Sequence, residues 1–319
     1  MDTIGSPTLW LVFAAVVVFA LMVDLVLMRH GGPHKVTFRE AAWWSLGWVA
    51  LAMAFNAWLW WYAGQRFGAA DGQRIGMEFL TGYLVEKALA VDNIFVFLMI
   101  FGYFGVPEVQ RQRVLVIGIL GAIALRAILI FIGAALIAKF HWILYLFGAF
   151  LLFTGIKMWR AAGAPPSLEG NPVLRWITGH LPFMRRYYGS ALWIGSGARR
   201  KYTPLFVVLV MIAVTDVIFA VDSIPAIFAI TEDPFIVLTS NVFAVLGLRA
   251  MFFLLQGMAE RFHLLPYGLA LVLVFIGGKM LVVDVYKIPV LAALAVVALI
   301  IGATVALSLL RPTPQVPPP

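Results

Sequence analysis

Two stretches place acids where apolar residues otherwise dominate. Residues 86–93 read Glu86-Lys87-Ala88-Leu89-Ala90-Val91-Asp92-Asn93, and residues 216–223 read Asp216-Val217-Ile218-Phe219-Ala220-Val221-Asp222-Ser223. The two align without a gap. Each has an acid, then six positions on an Asp that follows Ala-Val and precedes a small amide or hydroxyl residue. Glu86, Asp92, Asp216 and Asp222, with Asn93 and Ser223, are hard oxygen donors. Such a set suits Mn²⁺, Mg²⁺ or Ca²⁺, whereas copper and zinc prefer sulfur and imidazole. At about 100° per residue on a helix, Glu86 and Asn93 share a face, as do Asp216 and Ser223, while Asp92 and Asp222 lie about 100° round. A local break at each motif would converge three side chains on one ion. Pro225, three residues after Asp222, offers a kink in the second copy.

The surroundings make these acids expensive. Of 319 residues, 63% are hydrophobic and 12% charged, against about 25% charged in a soluble domain. The chain is therefore solvated mostly by lipid. Lys87, Arg126 and Arg249 bring the ionisable groups deep inside apolar stretches to seven. Each costs about 2.5–3.5 kcal/mol at a helix centre, so all must face the bundle interior, pair with one another or line water. Arg126 and Arg249 read as counter-ions to the carboxylates. Lys157 and Lys279, near the ends of their stretches, either join that charge balance or snorkel to the interface. Lys87 has no counterpart, since Val217 occupies its place. Asp24 and Asp284 read as interfacial. His30, His34, His141, His180 and His263 all fall in loops or at the edges of apolar stretches. Cysteine is absent, which excludes disulfides, thiolate metal sites and Cys nucleophiles. No His–acid or Ser–His arrangement sits within the apolar stretches, so neither an enzyme nor a permanently bound cofactor is expected.

A transmembrane helix needs roughly 20 apolar residues. Nine stretches qualify: 8–28, 41–63, 76–103, 113–137, 141–160, 203–230, 234–257, 264–284 and 287–310. The fold class is thus an all-α membrane protein in one transmembrane domain. The first stretch has no basic n-region and reads as a retained helix. Basic residues fix the orientation. Arg29, Lys35, Arg39, Arg111, Arg113, Arg160, Arg175, Arg185, Arg186, Arg199, Arg200, Lys201, Arg261 and Arg311 fall in one set of loops. Arg66, Arg74, Lys139 and Lys287 fall in the other. The imbalance predicts an outside amino terminus and a cytoplasmic carboxyl terminus in an inner membrane. It also explains the net charge of +8 without nucleic acid. Trp43, Trp44, Trp48, Trp58, Trp60 and Trp61 cluster near both ends of the second stretch, as headgroup anchors do. The cytoplasmic loop 161–202 suggests a short interfacial helix around Val173–His180 or a hairpin near Tyr187–Tyr202. The tail 312–319 is Pro-rich and reads as disordered.

The repeat extends beyond the acids. Leu125-Arg126-Ala127 answers Leu248-Arg249-Ala250, and Gly155-Ile156-Lys157-Met158 answers Gly277-Gly278-Lys279-Met280. Repeat one covers about 76–160 and repeat two about 203–284, flanked by the stretches 8–28, 41–63 and 287–310. Three spans are an odd number, so adjacent units enter the membrane from opposite sides. Inverted repeats of this kind bind substrate near the midplane, at their interface.

The residues Ala90-Val91-Asp92-Asn93-Ile94-Phe95-Val96 and the run from Asp216 to Ala229 resemble the signature of the TerC/Alx family. So do the runs Thr231–Asn241 and Leu246–Met251. The likeness spans nearly the whole chain and is weakest in 161–202 and the tail. It implies a bacterial inner-membrane protein, a role in tellurium resistance or manganese export, and a metal site at Glu86, Asp92, Asp216 and Asp222 with Asn93 and Ser223 beside them. One departure stands out: relatives often carry Glu three residues before the Asp that matches Asp216, and this chain has Ala213.

Together these features predict a secondary transporter that exports Mn²⁺ in exchange for protons, with the lipid bilayer and the transported ion as its partners. Export of another hard divalent cation such as Ca²⁺ fits the same donors. A membrane scaffold whose acids and arginines form structural ion pairs is the alternative from another class. The sequence leaves the oligomeric state open.

Overall fold

Long apolar runs without internal glycine or proline clusters fold as helices because lipid offers the backbone no other hydrogen-bond partner. The computed structural model describes residues 3–30, 36–140, 142–162, 172–184, 186–196, 200–256, 262–286 and 288–310. The elements are α1 (Pro7–His30), α2 (Phe38–Phe67), α3 (Ala69–Tyr103), α4 (Glu108–Lys139), α5 (Ile143–Ala161), α6 (Pro172–His180), β1 (Trp193–Ile194), β2 (Lys201–Tyr202), α7 (Pro204–Phe228), α8 (Pro234–Leu246), α9 (Leu248–Gln256), α10 (Leu265–Leu281) and α11 (Val290–Leu310). Within 161–202, where the sequence offered a short helix or a hairpin, the structure has both a helix, α6, and the antiparallel pair β1–β2. Lys35, Arg185, Arg199, Arg261, Lys287, Arg311, His34, His141 and the tail 312–319 lie outside the described residues, as do the side chains of Arg29 and His30.

Local signals explain several boundaries. Thr37 caps α2 by accepting the Glu40 amide, and Asp233 caps α8 by accepting the Phe235 amide. Proline opens α7 and α8, where its missing N–H is no loss.

Each expected membrane stretch is helical, but nine spans do not emerge from length and apolarity alone. Among the described residues α1, α4, α5, α7 and α11 are long and apolar enough to cross a membrane, and the bent pair α8–α9 makes a sixth. The shortfall has identifiable causes. At 17 residues α10 is short. α3 carries Arg74, Glu78, Glu86, Lys87 and Asp92, and α2 is rich in tryptophan, whose indole N–H lowers its apolarity.

The expected breaks at the acid motifs are absent. α3 continues through Asp92 to Tyr103, and α7 continues through Asp222 and Pro225 to Phe228. The broken helix is the next one along, bent by 42° between α8 and α9. Gly247 sits at that bend. A Cβ there would lie 2.7 Å from Lys87 Nζ and 3.1 Å from Trp48 Cβ, so a side chain at this position would displace the lysine end and crowd Trp48. Lys87 Nζ donates to the Ala244 carbonyl at 3.2 Å. That carbonyl lies in the last turn of α8, where helix ends leave acceptors unpaired and carry partial negative charge.

Packing has a reciprocal pattern. α3 lies against α8, and α4 lies against α7. The most extensive helix pair is α5 with α10, and its closest approaches involve glycines. A Cβ at Gly155 would meet the Ala270 carbonyl and the Val274 amide at 2.9 and 3.0 Å. A Cβ at Gly277 would meet the Gly148 carbonyl and the Leu152 amide, both at 2.8 Å. Small residues let helix backbones approach closely in a bilayer. Phe13, Phe55, Phe79, Phe235 and Phe243 interlock α1, α2, α3 and α8 in a ring-on-ring cluster.

Because the Gly277 neighbours are backbone atoms that cannot swing aside, Gly277→Ala is expected to destabilise the protein by about 1–3 kcal/mol. Gly278 has nothing within 4 Å of an added Cβ. Gly278→Ala is therefore expected to be neutral or stabilising by up to about 1 kcal/mol through helix propensity. Thermal unfolding in detergent, followed by tryptophan fluorescence, separates the two.

Candidate functional site

The acids converge because α3 and α7 pack against each other. α3 presents Glu86, Asp92 and Asn93, and α7 presents Asp216, Asp222 and Ser223. Arg126, from α4, lies at their centre and is only 1% exposed. Its Nη1 pairs with the Glu86 carboxylate. The same nitrogen donates to Asn241 Oδ1 at 3.2 Å and to Ser223 Oγ at 3.5 Å. Its charge also reaches Asp216. One guanidinium thus joins α3, α4, α7 and α8. Three polar atoms here are buried without a protein hydrogen-bond partner: Glu86 Oε2, Arg126 Nε and Asn241 Nδ2. Polar groups in such surroundings are ordinarily satisfied by protein, water or an ion.

Asp92 and Asp222 form a second group. Both are half-buried, and the helices that carry them, α3 and α7, are packed together. Thr154 of α5 donates from Oγ1 to Asp222 Oδ1 at 3.4 Å, and the exposed Lys157 adds its positive charge to Asp222. Asn93 and Ser223, next in sequence to these aspartates, are buried. Among the described residues no three carboxylates or imidazoles stand together as a metal would require. The four acids therefore divide into Glu86 with Asp216 around Arg126, and Asp92 with Asp222 beside Thr154 and Lys157.

The remaining cations are placed elsewhere. Arg249 pairs with Asp24 of α1, both largely buried. Asp24, read from sequence as interfacial, is 8% exposed. Lys279 shares a cavity with Glu78 and interacts with its charge. Asp284 is exposed at the end of α10 and accepts from the Tyr145 hydroxyl.

Sequence comparison of the two repeats passed over Asn241 and Thr154. Counting from the paired arginines, Asn241 answers Gly118. Counting from the paired lysines, Thr154 answers Ile276. Neither is duplicated, so a search for repeated residues could not find them. The usable signal was an amide inside an otherwise apolar helix.

Known proteins agree with this membrane architecture. The chain is 54% identical over 297 residues to a Shigella flexneri protein, covering 93% of each chain. The Escherichia coli K12 relative is also 54% identical over 297 residues, covering 93% of this chain and 92% of the relative. Both carry the provisional name membrane-bound redox modulator Alx. An uncharacterized membrane protein of Myxococcus xanthus is 45% identical over 309 residues, covering 97% of this chain and 94% of the relative. No solved structure matches the chain. The model of the integral membrane protein TerC family matches residues 71–315, which contain every acid and arginine of the two groups described above. The chain is an integral, multi-pass membrane protein and belongs to the TerC family.

Proposed function

We propose that this protein is a secondary transporter that exports Mn²⁺ from the cytoplasm across a bacterial inner membrane in exchange for protons. The observation that carries the reading is the placement of Asp92 and Asp222 as half-buried acids on two helices packed together, α3 and α7, each from its own copy of one motif. Two neighbouring carboxylates in a low-dielectric interior repel each other unless a cation or a proton lies between them. Ion arrival therefore drives protons off, and proton return drives the ion out. Asn93, Ser223 and Thr154 are the neutral oxygen donors nearest to hand in sequence or structure. Glu86 and Asp216 are the reserve ligands, and using Glu86 requires Arg126 to release it.

The helix pairings support an inverted three-helix repeat of α3–α4–α5 with α7, α8–α9 and α10. Exchanging the copies turns the α3–α8 contact into α4–α7 and leaves α5–α10 unchanged. It also turns the Gly155 contacts with Ala270 and Val274 into the Gly277 contacts with Gly148 and Leu152. Reciprocity of this kind is the mark of a two-fold axis. With nine spans and the basic-rich loops inside, the amino terminus is outside and the carboxyl terminus cytoplasmic.

A redox role is suggested by the relatives' name. This chain has no cysteine, so any such role here does not run through thiols. The scaffold reading draws on the two buried ion pairs, Arg126–Glu86 and Arg249–Asp24.

The test is purified protein in liposomes loaded with a Mn²⁺-sensitive dye. Asp92→Asn and Asp222→Asn are each expected to lower the flux at least about tenfold, because carboxylate count sets affinity at hard-ion sites, while the protein inserts and folds normally. A folded wild type without flux would sink the transport reading. Ca²⁺ and Mg²⁺ competition in the same assay decides selectivity. Arg126→Gln is expected to cost about 3–5 kcal/mol of stability by stranding Glu86, and Glu86→Gln in the same chain is expected to recover most of it. Denaturant titration of the four-member cycle measures both. Ala213→Glu adds a carboxylate one turn from Asp216, and tighter apparent Mn²⁺ affinity is expected because ligand charge raises hard-cation affinity. Unchanged affinity would show that the departure at Ala213 does not matter to the site.

A further inference from the structure

A cavity of about 840 Å³ opens at the end of the bundle where α7 stops and α8 begins. Its walls include Arg74 and Glu78 of α3, the turn Ala229–Asp233, and Lys279 of α10. Three acids line it, and they are not equivalent. Asp233 is fully engaged, accepting from Thr3 Oγ1, the Ile4 amide and the Phe235 amide. Glu232 is exposed at the rim. Glu78 is different, being only 5% exposed although it faces a cavity. Its Oε1 accepts from Arg74 Nη1 at 2.8 Å, whereas the buried Oε2 accepts no hydrogen bond from the protein. Lys279 interacts electrostatically with Glu78 without forming an ion pair.

We infer that Glu78 is the principal ligand of a weak divalent-cation site in this cavity, with Glu232 assisting at the rim. The inference rests on the transport reading for the identity of the ion, Mn²⁺, and for the role of the site as the release station. Six residues of α7 separate Asp222 from Phe228 in the cavity wall, about 9 Å of helix. The cavity lies at the basic-poor end, which the charge rule puts outside. On the transport reading, an ion released from Asp222 toward that end arrives at the cavity that Glu78 lines. Arg74 and Lys279 give the station its character. Each positive neighbour weakens the hold on a divalent cation, and conduction requires sites that bind well enough to receive an ion yet weakly enough to let it go.

The chain contains no cysteine, so Tyr286→Cys, at an exposed lining position, provides a unique attachment point for a nitroxide. Full-length protein in lipid nanodiscs is titrated with Mn²⁺, whose paramagnetism broadens the label when the ion lies nearby. Glu78→Gln is expected to raise the midpoint about tenfold, since removing a charged ligand lowers hard-ion affinity, and Glu78→Asp to restore part of it. Arg74→Gln frees Oε1 and removes a positive charge, so it is expected to lower the midpoint. Asp92→Asn with Asp222→Asn is expected to leave the titration unchanged. A midpoint unmoved by Glu78→Gln overturns the proposal. So does a midpoint that Arg74→Gln raises as Glu78→Gln does, because that pattern belongs to a purely structural ion pair. The titration reads occupancy without flux. A chain that binds at Glu78 yet moves no Mn²⁺ would sink the transport reading and leave the site standing.

Discussion

A fully buried guanidinium must find its counter-charge inside the protein, and this requirement organises the centre of the molecule. Arg126 cannot reach solvent from the middle of α4, so α3, α7 and α8 each bring it an oxygen, from Glu86, Ser223 and Asn241. Removing one partner strands the other in low dielectric, which is far more damaging than the net worth of the pair. The same contact sets the chemistry. Glu86 can contribute to an ion site only to the extent that Arg126 gives it up, whereas Asp222 accepts a long hydrogen bond from Thr154 and feels the charge of the nearby Lys157. On the transport reading, the half-buried aspartates are the ready ligands and the neutralised pair is held back.

The two copies of the repeat agree in how their backbones pack and differ in how their charges pair. At the α5–α10 seam each glycine meets the same kind of backbone atoms on the opposite helix. Their arginines part company: Arg126 turns to the acids, and Arg249 turns away to Asp24. The helix break is likewise one-sided. Gly247 permits a bend where Lys87 and Trp48 press in, while the corresponding Ala124 sits within the unbroken α4. Lys87, whose own counterpart is Val217, reaches this bend and no equivalent one. On the transport reading proposed above, alternation between two states needs the halves to differ at any instant, and these are the places where they do.

Much of this was legible in the chain. Apolar length located the helices, and the paired motifs located the acids. The long loop offered a short helix or a hairpin, and the structure has both. Three things were not legible. The helix breaks were expected at the acid motifs because broken helices often serve ion sites, but both motif helices run on unbroken and the bend falls at Gly247, a position the repeated motifs did not mark. The destination of Arg249 depended on α1, which lies outside the repeat. Asn241, Thr154 and Glu78 have no counterparts in the other copy, so a reading built on duplication gave them no weight.

The Asp24–Arg249 pair reaches past the boundary of the shared family region, which begins at residue 71. Asp24 belongs to α1, yet its partner lies within the second repeat. The family-matched set of helices is therefore not electrostatically closed, and a minimal core cut at its edge would carry an orphaned arginine in its interior. The first helix is better regarded as a keel than as an optional appendage. Chimeras that exchange amino-terminal helices between family members must carry this acid across, or supply the arginine with another.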